Sequence, residues 1–192
     1  MRHMLLLTVL LAGAAPAALH AQGAAQGKKR MIHDFQVVTI DGKKIDLARY
    51  KGKVLVIVNV ASECGYTGQY KPLQALHARY AKEGLAILAF PCNDFGAQEP
   101  DDEAKIKRFA QKTYGVEFDL FSKIRILGKD SSTLYRFLTS KESNPNHAGE
   151  VKWNFEKFII GRDGTIVARF AAETEPDSEE FMDALRKALG RK

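Results

Sequence analysis

Cysteine is scarce in this chain: only Cys64 and Cys92 occur among its 192 residues. One possible pair is too few for the dense disulfide framework that holds small secreted domains together. A Cys-x-x-Cys motif is also missing, because Thr67 stands where an exchange protein would carry a second thiol after Cys64. We therefore expect the two thiols to serve chemistry rather than structure.

Other absences narrow the function further. The five histidines are scattered, and His33, His77 and His147 show no ligand spacing with either cysteine, so we expect no metal cofactor. The formal charge is +6, yet the basic residues are dispersed and cluster only at 28–30. Because no recognition motif or alternation of basic and aromatic residues accompanies this charge, we do not expect nucleic-acid binding.

Hydrophobic runs long enough to form a transmembrane helix are absent as well. The one apolar stretch near the start is too short for such a helix and fits a signal peptide better. Basic Arg2 precedes the apolar run Met4–Leu11, and small residues follow it. This pattern predicts a signal peptide at 1–21, cleaved after Ala21 or Ala17, and then a flexible leader at 22–30. We expect an exported protein, periplasmic if bacterial and otherwise secreted, with no stable membrane anchor.

The most informative feature that is present surrounds Cys64. The run Val54–Val60, apolar apart from Asn59, predicts a strand buried on both faces, and an amphipathic helix is predicted from Gln69 to Lys82. A helix N-terminus stabilises an anion, so a thiolate is favoured there. An inert core thiol is the alternative, but the neighbours of Cys64 are loop-forming residues. Cys64 is therefore a candidate nucleophile.

The remaining pattern predicts one α/β domain at 31–192. Asp41-Gly42 predicts a hairpin turn, and a second buried strand at 85–90 completes a βαβ unit with parallel strands. Helices are predicted from Asp101 or Asp102 to about Lys112 and at 133–140. A second hairpin spans 158–170, and a last helix opens with a capping box of Asp177 and Glu180. The result is a mixed central sheet flanked by helices.

Three loops together closely resemble the glutathione peroxidase family. They are the segments around Cys64, around Phe95-Gly96-Ala97-Gln98-Glu99-Pro100, and around Trp153-Asn154. The resemblance extends from about Ile32 to Leu189. It implies a thioredoxin-like fold and an enzyme that reduces hydrogen peroxide and organic or lipid hydroperoxides, with a thiol as reducing co-substrate and no bound cofactor.

The same resemblance implies the site residues. Cys64 would be the peroxidatic residue, and Gln98, Trp153 and Asn154 would complete the catalytic tetrad as N–H donors that carry no charge. The helix after the Gln98 motif, where some relatives carry a resolving cysteine, has none. We expect an external thiol, glutathione or a thioredoxin-like reductant, to resolve the sulfenic acid. A Cys64–Cys92 disulfide is the less favoured alternative.

The segment 141–152 bears on partners and assembly. It is short and polar, and it resembles the form found in monomeric, phospholipid-hydroperoxide-type members of the family. We expect a monomer that accepts bulky lipid peroxides, although another surface could form a dimer. The alternative function is an exported thioredoxin-like disulfide-exchange or binding protein. The missing second thiol after Cys64 argues against exchange.

Overall fold

The computed structural model describes residues 30–191. The predicted signal peptide at 1–21 and all but the last residue of the predicted leader at 22–30 lie outside the described residues. Across 30–191, no helix combines the length and the apolar character that a membrane crossing requires.

Two sheets, four α-helices and four short 3₁₀ segments account for the regular structure of these residues. The strands are β1 (Gln36–Val38), β2 (Lys44–Asp46), β3 (Val54–Val60), β4 (Leu85–Pro91), β5 (Asp119–Leu120), β6 (Lys157–Ile160) and β7 (Ile166–Phe170). The helices are α1 (Tyr70–Tyr80), α2 (Glu103–Tyr114), α3 (Thr133–Thr139) and α4 (Glu179–Leu189). Short 3₁₀ turns precede and follow α1, at Thr67–Gln69 and Ala81–Glu83.

The five-stranded sheet has the order β5-β4-β3-β6-β7. β3 and β4 are parallel, as the βαβ pattern predicts, and β6 runs antiparallel to β3. The β1–β2 hairpin forms a separate antiparallel pair. A parallel crossover followed by an antiparallel hairpin and a terminal helix is the thioredoxin-like arrangement that the family resemblance implies, so the fold prediction is confirmed.

The sheet separates two apolar layers. Every residue of β3 and β4 is buried, and alternate side chains point to opposite faces. One face, here called the α1 face, packs against α1, α2 and α4 and contains Val56 and Val58. The other, the α3 face, packs against α3 and contains Leu55 and Ile57. Burial on both faces explains why the sequence shows continuous apolar runs in these strands.

Three local predictions need correction. The cap of α4 is Ser178, whose hydroxyl accepts a hydrogen bond from the Phe181 N–H, and not Asp177. The helix predicted at 69–82 is α1 followed by a 3₁₀ turn that ends at Gly84 in the left-handed conformation. Cys64 itself lies in a turn ahead of the 3₁₀ segment Thr67–Gln69, so it does not occupy the first position of a helix.

Candidate active site

Strand direction brings the three sequence motifs to one edge of the sheet. Cys64 follows the carboxyl end of β3, and Gln98 follows the carboxyl end of its parallel neighbour β4. Because β6 is antiparallel to β3, the residues that precede β6, Trp153 and Asn154, lie at the same edge. The carboxyl edge of parallel strands is where open α/β sheets commonly place their sites.

The Cys64 turn is held by Thr67. The Thr67 hydroxyl oxygen accepts the Cys64 N–H at 3.0 Å and lies 2.9 Å from the carbonyl oxygen of Ala61 and 2.7 Å from that of Cys64. The Cys64 Sγ accepts the backbone N–H of Tyr66 at 3.4 Å, and 8% of the residue is exposed. The turn therefore presents the sulfur at the carboxyl edge of the sheet with a backbone N–H donor aimed at it.

Gln98 is placed by an unusual loop backbone. Gly96 and Ala97 both have positive φ, +66° and +54°, and a left-handed conformation is uncommon for alanine. The carbonyl oxygen of Gln98 accepts the N–H of Glu63 at 3.0 Å, which joins this loop to the Cys64 turn. A Cβ on Gly96 would meet both the Gln98 and the Trp153 side chains at 3.4 Å. The glycine thus lies directly beneath both of these side chains.

Asn154 contacts Gln98 directly. Its Nδ2 donates to Gln98 Oε1 at 3.1 Å and to the carbonyl oxygen of Phe95 at 3.3 Å, and the residue is fully buried. Sequence reasoning treats Asn154 as a donor to the reacting atoms. In this structure, Gln98 and Phe95 accept the two amide protons of Asn154. Because the Gln98 Oε1 faces Asn154, the N–H groups of the Gln98 amide point away from Asn154.

Trp153 remains accessible while its backbone is fixed. The residue is 38% exposed, and its ring lies 6.2 Å from that of Phe95, measured between centroids. Asn59, a lone polar residue within β3, donates from Nδ2 to the Trp153 carbonyl oxygen at 3.0 Å, and its backbone carbonyl oxygen accepts the Phe155 N–H at 2.6 Å. The buried asparagine in an apolar strand is the sequence signal that would have revealed this role.

The structure thus brings Gln98, Trp153 and Asn154 into mutual proximity and joins them to the Cys64 turn through the backbone of Glu63. Among residues 30–191, the hydrogen bond of the Cys64 sulfur is to Tyr66 and not to a side chain of the other three. Also within this range, no group of three or more His, Cys, Asp or Glu side chains could hold a metal ion.

Two buried ionisable groups border the site and were missed by sequence reasoning. Burial raises the pKa of Glu99 to about 7, while the backbone and hydroxyl of Ser62 and the charge of Lys123 act in the opposite direction. Burial lowers the pKa of Lys157 to about 8. Glu99 directly follows Gln98, and Lys157 is the first residue of β6. Both are completely buried, and the local sequence pattern does not predict that burial.

Cys92 occupies a different environment. It is fully buried on the α3 face, and burial raises the pKa of its thiol to about 12. The negative charge of Asp94 acts in the same direction, although the backbone N–H groups of Asp94 and Ile126 oppose it. This thiol therefore stays protonated at neutral pH, as a small buried hydrophobe does, in contrast with the expectation that both thiols serve chemistry.

Fold and site together define a thiol oxidoreductase of thioredoxin-like architecture, with a partly exposed cysteine at the sheet edge that also carries neutral amide and indole donors. The chain belongs to the glutathione peroxidase family, whose model matches residues 32–139. It is an enzyme that reduces hydroperoxides with a thiol as the reducing co-substrate.

Relatives and solved structures support this assignment. A glutathione peroxidase of Lactococcus lactis is 44% identical over 82% of this chain and 98% of its own length. A hydroperoxy fatty acid reductase of Synechocystis is 42% identical over 76% of this chain and 89% of its own. The crystal structure of Trgpx in apo form superposes with a TM-score of 0.66 at 36% identity, and covers 84% of this chain and 97% of that one.

A thiol:disulfide interchange protein of the thioredoxin family from Chlorobium tepidum also superposes, with a TM-score of 0.57. Its identity is 19%, over 86% of this chain and 100% of that one, so the likeness concerns the fold alone. Family membership therefore favours peroxide reduction over the alternative of disulfide exchange.

Proposed function

We propose that Cys64 is the peroxidatic residue of this enzyme. Its thiolate attacks the terminal oxygen of the hydroperoxide, so that an S–O bond forms and the O–O bond breaks. The alkoxide that leaves takes up a proton to become the alcohol, and Cys64 becomes a sulfenic acid. The observation that carries this proposal is the convergence of Cys64, Gln98, Trp153 and Asn154 at one edge of the sheet.

The neighbouring residues supply neutral donors in this proposal. The Gln98 amide and the Trp153 indole N–H stabilise the sulfur anion and the departing oxygen, where preorganised donors have their largest effect. Asn154 holds the Gln98 amide in the required orientation. A neutral donor set is suited to this step because a nearby fixed cation would also stabilise the thiolate before the reaction and so reduce its nucleophilicity.

Regeneration is assigned to an external thiol. The thiol condenses with the sulfenic acid to give a mixed disulfide and water, and a second thiol then releases the Cys64 thiol and forms the reductant's disulfide. Cys92 lies on the other face of the sheet and is fully buried, which disfavours an internal disulfide. Glutathione and a thioredoxin-like protein are the two candidate reductants.

Lipid hydroperoxides are proposed as substrates besides hydrogen peroxide. The exposed Trp153 borders the site, and the relative from Synechocystis is named for fatty acid hydroperoxides. The segment 141–152 is polar, and Arg169 holds it by donating to the carbonyl oxygens of His147, Gly149 and Glu150. A polar, fastened segment offers no apolar interface core, so we propose a monomer that leaves the site open to bulky substrates.

Export is a further part of the proposal and rests on the sequence of residues 1–21. N-terminal sequencing of the mature protein, recovered from the periplasm or the medium, tests it. A protein that retains its first residues inside the cell would contradict export, and light scattering that shows a stable tetramer would contradict the monomer.

The decisive experiment replaces the proposed nucleophile. Cys64→Ser keeps the size of the side chain but removes the thiolate, so we expect steady-state turnover to fall by roughly a thousandfold or more. The assay uses hydrogen peroxide and a phospholipid hydroperoxide, each with glutathione and with thioredoxin plus its reductase. Comparable turnover in the folded variant and the wild type would overturn the assignment, and the four substrate pairs identify the reductant and the peroxide class.

A further inference from the structure

A fully buried lysine lies behind the proposed site. Lys157, the first residue of β6, has no exposed surface. Its Nζ donates to the carbonyl oxygen of Phe155 at 2.6 Å, to Gln69 Oε1 at 2.9 Å and to the carbonyl oxygen of Ala172 at 3.4 Å. Three acceptors match the three N–H donors of an ammonium group, so the buried charge is completely hydrogen-bonded.

Two of these acceptors belong to the segments that form the site, Gln69 to the segment after Cys64 and Phe155 to the segment after Asn154. Gln69 is the last residue of the 3₁₀ turn that follows Cys64, and it also donates to the Ala172 carbonyl oxygen at 2.6 Å. Phe155 directly follows Asn154 and has a φ of +65°, a conformation that is unfavourable for a bulky residue. One ammonium group therefore connects the Cys64 turn with the strained backbone that presents Asn154.

The strain gives Lys157 its importance. A left-handed phenylalanine persists only where its surroundings hold it, and here the Phe155 carbonyl is fixed by Lys157 and its N–H by Asn59. Its buried ring also packs edge-on against Tyr70 at a centroid separation of 5.6 Å. If the carbonyl is released, the Phe155–Glu156 peptide can rotate and the strained φ of Phe155 can relax, and the Asn154 amide then loses its alignment with Gln98.

We propose that Lys157 is a positioning residue for peroxide reduction, whose ammonium group holds the Asn154–Phe155 backbone in place relative to the Cys64 turn. The proposal rests on the proposed function in taking Cys64 as the nucleophile. Lys157 touches no reacting atom and acts only through Phe155 and Gln69. The proposal adds to the site assignment a residue that connects the Cys64 turn with the segment that carries Asn154.

The charge on Lys157 responds to pH in a way that a structural contact does not. Burial lowers its pKa to about 8, whereas the negative charges of Glu175, Glu156 and Glu173 favour the ammonium form. Of these, Glu156 is already paired with Arg169. Above this pKa the neutral amine retains two N–H donors for three acceptors, so at least one of the three bonds is lost.

The test compares Lys157→Met with the wild type across pH. Met matches the length of the side chain without donors, and buried charges are often replaceable by apolar groups without unfolding. The single tryptophan lies beside the site and provides a fluorescence signal for rapid-mixing measurement of Cys64 oxidation by hydrogen peroxide. We expect the variant to react roughly thirtyfold more slowly at pH 6.5, and the difference between the two rates to become clearly smaller above pH 9, where the wild type has lost at least one of the three bonds.

Controls separate this proposal from its premise. Lys44→Met removes an exposed lysine from β2 of the separate hairpin and should leave the rate unchanged. Gln69→Leu should slow oxidation by less than Lys157→Met, and the double variant should be no slower than Lys157→Met alone. Cys64→Ser in the same assay tests the nucleophile independently, because turnover in that variant would overturn the proposed function and not the role of Lys157.

Two results would overturn the proposal. Oxidation of Lys157→Met at the wild-type rate at pH 6.5 would show that the ammonium positions nothing. A reduced rate whose ratio to the wild type does not change between pH 6.5 and 9.5 would assign the loss to packing rather than to the charge. If Lys157→Met fails to fold, as judged by circular dichroism, the same ratio is measured with Lys157→Gln, and the same two outcomes decide.

Discussion

The two cysteines of this protein occupy equivalent places in the chain and inequivalent places in the fold. Each follows a buried strand of the same parallel pair, β3 for Cys64 and β4 for Cys92. Cys64 packs with the α1 face, and its sulfur receives a backbone N–H near the surface. Cys92 packs with the α3 face, has no exposed surface, and has its pKa raised to about 12.

The difference shows what the sheet edge provides and what it does not. Both thiols follow the carboxyl ends of the same two parallel strands. A position at this edge of the sheet therefore does not by itself produce a reactive cysteine. The two sites differ in access and in donors: a turn fastened by Thr67 presents the Cys64 sulfur, whereas the chain after β4 continues into the core at Cys92. Substitutions near Cys64 and near Cys92 change the surroundings of one thiol at a time.

The largest effect is expected when the donors on the Cys64 side are removed. Gln98→Ala, Trp153→Phe and Asn154→Ala each delete a donor or the group that orients it, and a single well-placed donor contributes on the order of 3 kcal/mol to such a step. We therefore expect Cys64 oxidation to slow roughly a hundredfold in each variant, measured by rapid mixing, quenching and mass spectrometry because Trp153→Phe lacks the tryptophan signal. The structure adds that Gln98→Ala combined with Asn154→Ala should be no slower than Gln98→Ala alone.

A matched control is Asn144→Ala, in the segment after α3, which removes a side-chain amide that donates to the carbonyl oxygens of Phe137 and Leu138 in that helix. It should leave the oxidation rate within about twofold of the wild type, since surface changes away from the site have small effects. If all three site variants oxidise at the wild-type rate, the cluster is structural and the two cysteines differ only in access.

Much of the fold followed from the sequence because its signals are local. The Asp41-Gly42 turn, the βαβ unit and the Asp102 cap of α2 are all confirmed. β5 was missed because two residues, Asp119–Leu120, carry no periodicity. The α4 cap was displaced by one residue because Asp177 and Ser178 are both good capping residues, and only the backbone conformation decides between them.

The site was less accessible to sequence reasoning. The residues in the motifs could be named from the family resemblance, but their hydrogen bonds could not. Ala97 and Phe155 adopt left-handed conformations that pattern rules assign to glycine, so the strain beside Gln98 and Asn154 had no local signal. The burial of Lys157 and of Glu99 depends on segments distant in sequence that close over them, which no window of neighbouring residues contains.

A smaller effect is expected from the buried carboxyl group of Glu99, which lies beside the Cys64 turn. Glu99 lies against Ser62, in the Cys64 turn, and its pKa is raised to about 7 by burial. The folded protein therefore holds this proton at pH values where the unfolded chain, with a pKa near 4.5, has released it. The stabilisation is complete below about pH 4.5 and is lost as the pH rises through about 7.

Glu99→Gln removes this ionisation while keeping the shape of the side chain. At pH 8 we expect the variant to be more stable than the wild type by on the order of 2 kcal/mol, and at pH 4.5 to be nearly equal to it. Urea unfolding at several pH values measures this difference. Glu63→Gln, at an exposed position in the same turn, is the control. Parallel stability curves for Glu99→Gln and the wild type would show that Glu99 is not a protonated buried group.

The smallest effect on catalysis is expected on the Cys92 side. Cys92→Ala removes one buried sulfur from the α3 face, which leaves a small void and costs about 1 kcal/mol of stability. Because this thiol stays protonated and has no exposed surface, turnover with an external thiol should remain within about twofold of the wild type. Mass spectrometry after one equivalent of peroxide should find the same oxidised Cys64 in both proteins. A wild-type product lighter by two hydrogens, absent from Cys92→Ala, would be a Cys64–Cys92 disulfide and would show that the sheet does not keep the two thiols apart.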